Sequence, residues 1–180
     1  MIITPSGCSA ETVTAAGLVS MTLDGAATLD GEAEGSATPS SEWHMHAAIY
    51  RSDQRAGAIV HTHADACTAL ACLNEPLPAF HYMVLAFGGD DVRCAPYVTF
   101  GTPELARLAA GAIQGRSACL LANHGMIVHG SDPQDALRAA ILLETLSRQY
   151  LLARSAGTPR ILTPAEMQAA RERFATYGAT

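Results

Sequence analysis

Ala58-Ile59-Val60-His61-Thr62-His63 is the stretch whose reading decides this chain. Three apolar residues, two of them β-branched, run into a His-x-His pair, the pattern of a buried strand that ends at a chemical site. Side chains alternate faces along a strand, so His61 and His63 project to the same side, about 6–7 Å apart along the backbone. That spacing suits two imidazoles converging on one metal ion. A bare His-x-His is more often a coincidence of polar strand ends, since the chain holds seven histidines. The rest of the sequence has to supply the other parts of a site.

The 180 residues allow one domain with a substantial core. With 49% hydrophobic and 16% charged residues the composition is that of a globular protein, not a disordered one. No apolar run reaches the length of a transmembrane helix. Met1-Ile2-Ile3-Thr4-Pro5 lacks the charged and apolar regions of a signal peptide. The expectation is a cytoplasmic protein without a membrane partner. A net charge of −6 argues against nucleic acid as a partner. All 11 basic residues are arginine, so a mechanism that needs a lysine Schiff base is excluded. Cys8, Cys67, Cys72, Cys94 and Cys119 are odd in number and form no C-x-x-C motif. They read as reduced, buried thiols, which leaves histidine to hold any metal.

Along the chain, Leu18 to Leu23 reads as a strand, Asp24-Gly25 as a hairpin turn, and Ala26 to Leu29 as the return strand. Asp30 to Thr38 is acidic and rich in small residues, as in an exposed loop. Pro39-Ser40-Ser41-Glu42 opens a helix with serine as the expected N-cap and Glu42 in the first turn. Met45, Ala48 and Ile49 share its apolar face. Ala64 to Leu73 reads as a close-packed helix, Val92 to Tyr97 as a strand, and Thr102-Pro103-Glu104 as the start of a helix reaching about Gln114. Ala118 to Leu121 and Met126 to Val128 are strands flanking the turn Asn123-His124-Gly125. Asp132-Pro133 begins the longest helix, to about Arg154, with an expected core stripe of Leu137, Ile141, Leu142, Leu146 and Leu151. Thr163-Pro164-Ala165-Glu166 matches a capping box before a last helix. Strands and helices intermingle, so the sheet is expected to be mixed or partly antiparallel.

A catalytic zinc site takes three protein ligands and keeps a position open. His44, His46, His81, His124 and His129 compete for the third place. His44 and His46 point to different faces of a helix, and His129 is expected to be exposed beside Gly130. His124, in a tight turn next to Gly125, is modestly favoured.

The segments Pro39-Ser40-Ser41-Glu42-Trp43, His61-Thr62-His63 and Asn123-His124-Gly125 occur in the order found in the class II aldolase/adducin family, which the chain resembles over nearly its whole length. His81-Tyr82-Met83, Cys94 to Thr102 and Phe174-Ala175-Thr176-Tyr177-Gly178 resemble its L-fuculose-phosphate branch. The resemblance implies an α/β fold: a single-domain, three-layer αβα sandwich with a central mixed, largely antiparallel sheet. It implies one Zn²⁺ per subunit on His61, His63 and His124, with Glu42 as acid/base and Tyr82 acting across a subunit boundary. Ser6, Gly7, Ser40 and Ser41 match phosphate-contacting positions, and Phe100 and Tyr177 match residues at the aldehyde end of the pocket. It also implies a homotetramer with active sites between subunits. Residues 1–180 are expected to form the family domain without its usual preceding helix and Gly-Asn phosphate loop.

The residues fit that chemistry on their own terms. Breaking the bond beside a ketone leaves an enediolate whose charge must be stabilised. Without lysine there is no iminium electron sink, and a Lewis-acid metal is the alternative. The expected activity is cleavage of L-fuculose 1-phosphate, or a similar ketose 1-phosphate, to dihydroxyacetone phosphate and an aldehyde such as L-lactaldehyde. The alternatives are a methylthioribulose-1-phosphate dehydratase and a non-catalytic adducin-like interaction module.

Overall fold

Val60 and Ile59 point to opposite sides of the central sheet, and that alternation builds two cores. The computed structural model describes residues 1–9, 11–26 and 38–174. Among these, β1 (Ile2–Ile3) pairs antiparallel with β2 (Val19–Ser20), apart from the main sheet. Helix α1 (Trp43–Ser52) precedes strand β3 (Ala58–Thr62) and helix α2 (Asp65–Ala71). A 3-10 helix (Tyr82–Phe87) and strand β4 (Cys94–Ala95) lead to α3 (Pro103–Ile113). Strands β5 (Ala118–Leu121) and β6 (Gly125–Gly130) form a hairpin, followed by α4 (Pro133–Ala156) and α5 (Pro164–Phe174).

The main sheet has the order β3-β6-β5-β4, antiparallel except for the parallel β4–β5 pair. On one face Cys119, Leu121 and Ile127 meet Met45 and Ile49 of α1 and Leu105, Ala109 and Ile113 of α3. On the other, Ala118, Leu120, Met126 and Val128 meet Leu70 of α2 and Leu143 and Leu146 of α4. The chain is therefore a single-domain three-layer αβα sandwich with a mixed sheet, as expected. Glu144 ties the second layer together: its carboxylate accepts the Ala66 and Cys67 N–H groups at 2.8 and 2.9 Å. These are otherwise orphan donors in the first turn of α2.

Several local expectations change. The turn at Asp24-Gly25 forms, with Gly25 at φ +91°, but β2 is only two residues long and pairs with β1. The return strand proposed for Ala26 to Leu29 lies almost wholly outside the described residues, as does most of the loop from Asp30. Serine is not the N-cap of α1. Glu42 holds that position and its side chain makes no capping bond, while the Ser40 hydroxyl accepts the Glu42 N–H at 3.3 Å. Val92 to Tyr97 contributes only the two residues of β4. His129 is 4% exposed, because β6 is an inner strand; its Nε2 lies 3.2 Å from the Arg116 carbonyl oxygen and 3.4 Å from Asp53. Among the cysteines Cys67 and Cys119 are buried, but Cys72 is exposed and Cys8 and Cys94 are half-buried; all five are free. The capping box forms as expected, Thr163 and Glu166 each bonding the other's backbone N–H.

The stripe on α4 is the largest correction. Leu146 is buried and Leu142 and Leu151 pack against the core as expected, but Leu137 and Ile141 are exposed at 54% and 59%, and Ala136, Ala140, Leu143, Ser147 and Tyr150 complete the buried face. Small residues on this face let α4 lie close against α2 and the sheet, and leucine count misleads there. Leu143→Ala is expected to cost about 2–5 kcal/mol of stability, whereas Ile141→Ala should change it by less than about 0.5 kcal/mol. Chemical denaturation of the two variants checks this, and equal losses would contradict the assigned face.

Candidate metal centre

The three histidines come from adjacent ends of neighbouring strands. His61 lies on β3 opposite Ile127 of β6, and His63 stands one residue beyond the strand. His124 occupies the reversal between β5 and β6. The ring centroids are 5.1 Å apart for His61–His63, 4.9 Å for His61–His124 and 4.8 Å for His63–His124. One ligand atom from each lies within 4.8 Å of the others. Gly125 permits this closeness. A Cβ there would sit 2.6 Å from the Thr62 carbonyl oxygen and 2.9 Å from Cδ2 of His63.

His61 Nδ1 is 2.9 Å from the Met126 carbonyl oxygen. A carbonyl only accepts, so Nδ1 carries the proton and Nε2 presents its lone pair to the cluster. Burial pulls the His61 pKa down to about 3, with the neighbouring histidines adding to the effect and the Met126 bond opposing it. The His124 pKa is also lowered, by burial first, against the opposing pull of Glu42. Both imidazoles are thus held neutral, the form that binds a metal.

Glu42 closes the arrangement. Its Oε2 lies 3.9 Å from His61 Nε2 and 3.8 Å from His124 Nε2. The residue is 8% exposed, and neither carboxylate oxygen has a hydrogen-bond partner among the described residues. A desolvated anion beside neutral imidazoles is costly unless a cation or a proton joins it. Three imidazole donors next to that orphan carboxylate therefore fit a divalent metal with open coordination positions. Gly101, at φ +71°, lets the following loop close on this group, since a Cβ there would meet the Ser41 carbonyl oxygen at 3.2 Å. Ser41, Glu42, the three histidines, Thr62, Tyr97, Val98, Phe100 and Asn123 line one cavity of about 650 Å³.

The other residues singled out in the sequence fall in three places. Ser6 and Gly7 form an exposed turn beside the Ser40-Ser41 segment, joined to it by Ser6 N–H to Thr38 O at 2.8 Å and Ser40 N–H to Thr4 O at 3.0 Å. Phe100 stands at the cavity rim, 65% exposed. Tyr82 does not line the cavity; it is 47% exposed and stacks on His81 at 4.8 Å. Tyr177 lies outside the described residues. Sequence reasoning passed over Tyr97, a rim aromatic 61% exposed. Its only signal is its place on the Gly-terminated segment that carries Phe100. His46, weighed in the sequence for the third ligand place, is not one of the three converging histidines. Burial lowers its pKa to about 4, and its charge is felt at His61.

Because His46 and His61 titrate below the ordinary 6.5 when folded, the unfolded chain takes up their protons first as pH falls. Their contribution to stability is complete above pH 6.5 and is lost as pH drops through about 4 and then about 3. Thermal melting of metal-free protein should show this loss below pH 6.5, shallower in His46→Leu. A flat native profile would contradict the burial of neutral imidazoles.

Known proteins are similar to nearly the whole chain in sequence and in shape. The model of the family described as Class II Aldolase and Adducin N-terminal domain matches residues 1–151. A 5-methylthioribulose-1-phosphate/5-deoxyribulose-1-phosphate aldolase of Rhodospirillum rubrum is 44% identical over 99% of this chain and 78% of its own length. An L-fuculose phosphate aldolase of Escherichia coli O6:H1 is 42% identical over 99% of this chain and 80% of its own. A solved structure of an L-fuculose 1-phosphate aldolase superposes with a TM-score of 0.89 at 41% identity, covering 97% of this chain and 80% of the other.

Proposed function

The chain belongs to the class II aldolase and adducin family, and from that premise we propose that it is a zinc-dependent aldolase of ketose 1-phosphates. The family's aldolases are metal-dependent lyases. The substrate proposed is L-fuculose 1-phosphate or a close analogue, cleaved to dihydroxyacetone phosphate and an aldehyde such as L-lactaldehyde. The observation that carries this reading is the buried, unpartnered Glu42 carboxylate, 3.9 and 3.8 Å from the Nε2 atoms of His61 and His124. An interaction module has no use for such a costly group.

His61, His63 and His124 would hold the ion, and imidazole ligands, unlike carboxylates or thiolates, would leave its charge undiminished. When bound, Zn²⁺ supplies Lewis-acid stabilisation of the negative charge that develops on the ketose oxygens as the carbon–carbon bond breaks. Glu42, at the N-cap of α1 and lining the cavity, moves a proton at the carbon of the ketose fragment. Neither of its oxygens is engaged by a hydrogen bond among the described residues. Tyr82 handles the hydroxyl that becomes the aldehyde. Since it stands apart from its own chain's cavity, it serves the cavity of a neighbouring subunit in a homotetramer. Ser6, Gly7, Ser40 and Ser41 offer hydroxyl and backbone N–H donors to the phosphate, on two segments already joined by backbone hydrogen bonds. Phe100 and Tyr177 shape the aldehyde end. Residues 1–180 act as one such domain, in the cytoplasm; among the described residues no helix is long and apolar enough to cross a membrane.

A second substrate reading is favoured by the rim formed by Tyr97, Val98 and Phe100 and by the relative that is 44% identical. In it the same cleavage acts on a ketose 1-phosphate with an apolar tail, 5-methylthioribulose or 5-deoxyribulose 1-phosphate. It stands beside the dehydratase alternative, and the name of the 44% identical relative, an aldolase of this sugar, supports cleavage over water elimination.

Glu42→Gln should lower kcat about 10²–10⁴-fold while keeping its zinc, and His61→Ala should lose both zinc and cleavage. Metal analysis and trapping of the released aldehyde check the pair. A His61→Ala protein with native zinc content would contradict the ligand assignment. The ratio of kcat/KM for fuculose 1-phosphate and 5-deoxyribulose 1-phosphate decides between the two substrates.

A further inference from the structure

Asn123 and Asn74 are the two non-glycine residues among those described with left-handed backbone, at φ +54° and +56°. That conformation is costly for residues with a side chain, and asparagine is among the few that tolerate it. Both belong to one construction. The Ala71 carbonyl at the end of α2 accepts the Asn74 N–H at 3.0 Å and the Asn123 N–H at 3.2 Å. Their side chains then meet, Asn74 Nδ2 donating to Asn123 Oδ1 at 3.2 Å. The carboxamide of Asn123 is thereby oriented from its oxygen end. Its NH₂ group makes no hydrogen bond among the described residues. Asn123 lines the cavity of the candidate metal centre, next in sequence to His124.

A turn that needed only the left-handed conformation would be served better by glycine. Asparagine at both positions, bonded to each other, with Asn123 lining the cavity and its NH₂ group left without a partner among the described residues, points to a use for that group. We propose that Asn123 is a substrate-binding residue of this site, its NH₂ group donating a hydrogen bond to an oxygen of the bound sugar phosphate, and that Asn74 is the positioning residue that sets which end of the amide faces the cavity. The inference rests on the aldolase reading and adds a specificity contact to it. Two donors at the metal-side wall recognise oxygen and not a bare hydrocarbon.

The test separates the side chain from its backbone role. Asn123→Gly keeps the turn and removes the amide. In zinc-loaded protein it should weaken binding of dihydroxyacetone phosphate, read by calorimetry, about ten- to a hundredfold, with kcat/KM falling alike and zinc content unchanged. Asn74→Asp offers only acceptors, so the Asn123 NH₂ turns to it and presents its carbonyl oxygen to the cavity. This variant should raise KM more than it lowers kcat, at native thermal stability. Native binding and kcat/KM in Asn123→Gly would overturn the inference while leaving the aldolase reading standing. Native protein that neither binds dihydroxyacetone phosphate nor cleaves a ketose 1-phosphate would overturn both.

Discussion

An unpaired carboxylate in a place with almost no water is the constraint on which the rest of this structure turns. Glu42 is 8% exposed and has no hydrogen bond to either oxygen among the described residues. Its nearest charged-capable neighbours are imidazoles that burial keeps neutral. Such an arrangement is unfavourable in a folded chain by itself, and it is stabilised once a cation takes the lone pairs beside it. The site is therefore the part of the molecule whose stability depends on something outside the polypeptide. That dependence is what makes it useful, because a group desolvated in advance needs no reorganisation when charge develops in the substrate.

The fold delivers this constraint with few parts. An antiparallel β3–β6 pair brings the end of His61-Thr62-His63 beside the turn that carries His124, and Gly125 removes the one Cβ that would keep the rings apart. Glu42 arrives from the other direction, at the cap of α1. The Ser40 hydroxyl accepts the Glu42 N–H, and the Glu42 carboxylate makes no capping bond to its own helix. Helices α1 and α3 on one face and α2 and α4 on the other bury the sheet, which holds the strand ends rigid under the site.

How far this was legible in the sequence depends on which force decided each feature. His61 and His63 could be read from strand alternation alone, since that geometry has a fixed period. Apolar runs separated by well-formed caps, such as Thr102 and Thr163, showed strands and helices intermingled around a mixed sheet, and the αβα layering itself came from the family resemblance. Glu42 could not be told from an ordinary first-turn acid by residue type, and family resemblance alone singled it out. The α4 face was misread at Leu137 and Ile141, because Ala136, Ala140 and Ser147, small residues that carry little hydrophobic signal, take that part of the buried face beside Leu143 and Leu146. His129 was misplaced because Gly130 beside it suggested a loop, whereas β6 runs through Gly130 as an inner strand. Tyr97 and the Asn74–Asn123 pair were invisible for a third reason. Their significance lies in what tertiary structure sets next to them.

The central claim is that His61, His63 and His124 hold one divalent ion at the side of Glu42. Anomalous diffraction at the zinc absorption edge, from crystals grown with zinc, tests it most directly. The account predicts one strong peak per chain among the three imidazoles, on the Nε2 side of His61, whose Nδ1 is committed to the Met126 carbonyl. A peak on the cysteines, or none at the histidines in zinc-loaded protein, would contradict it.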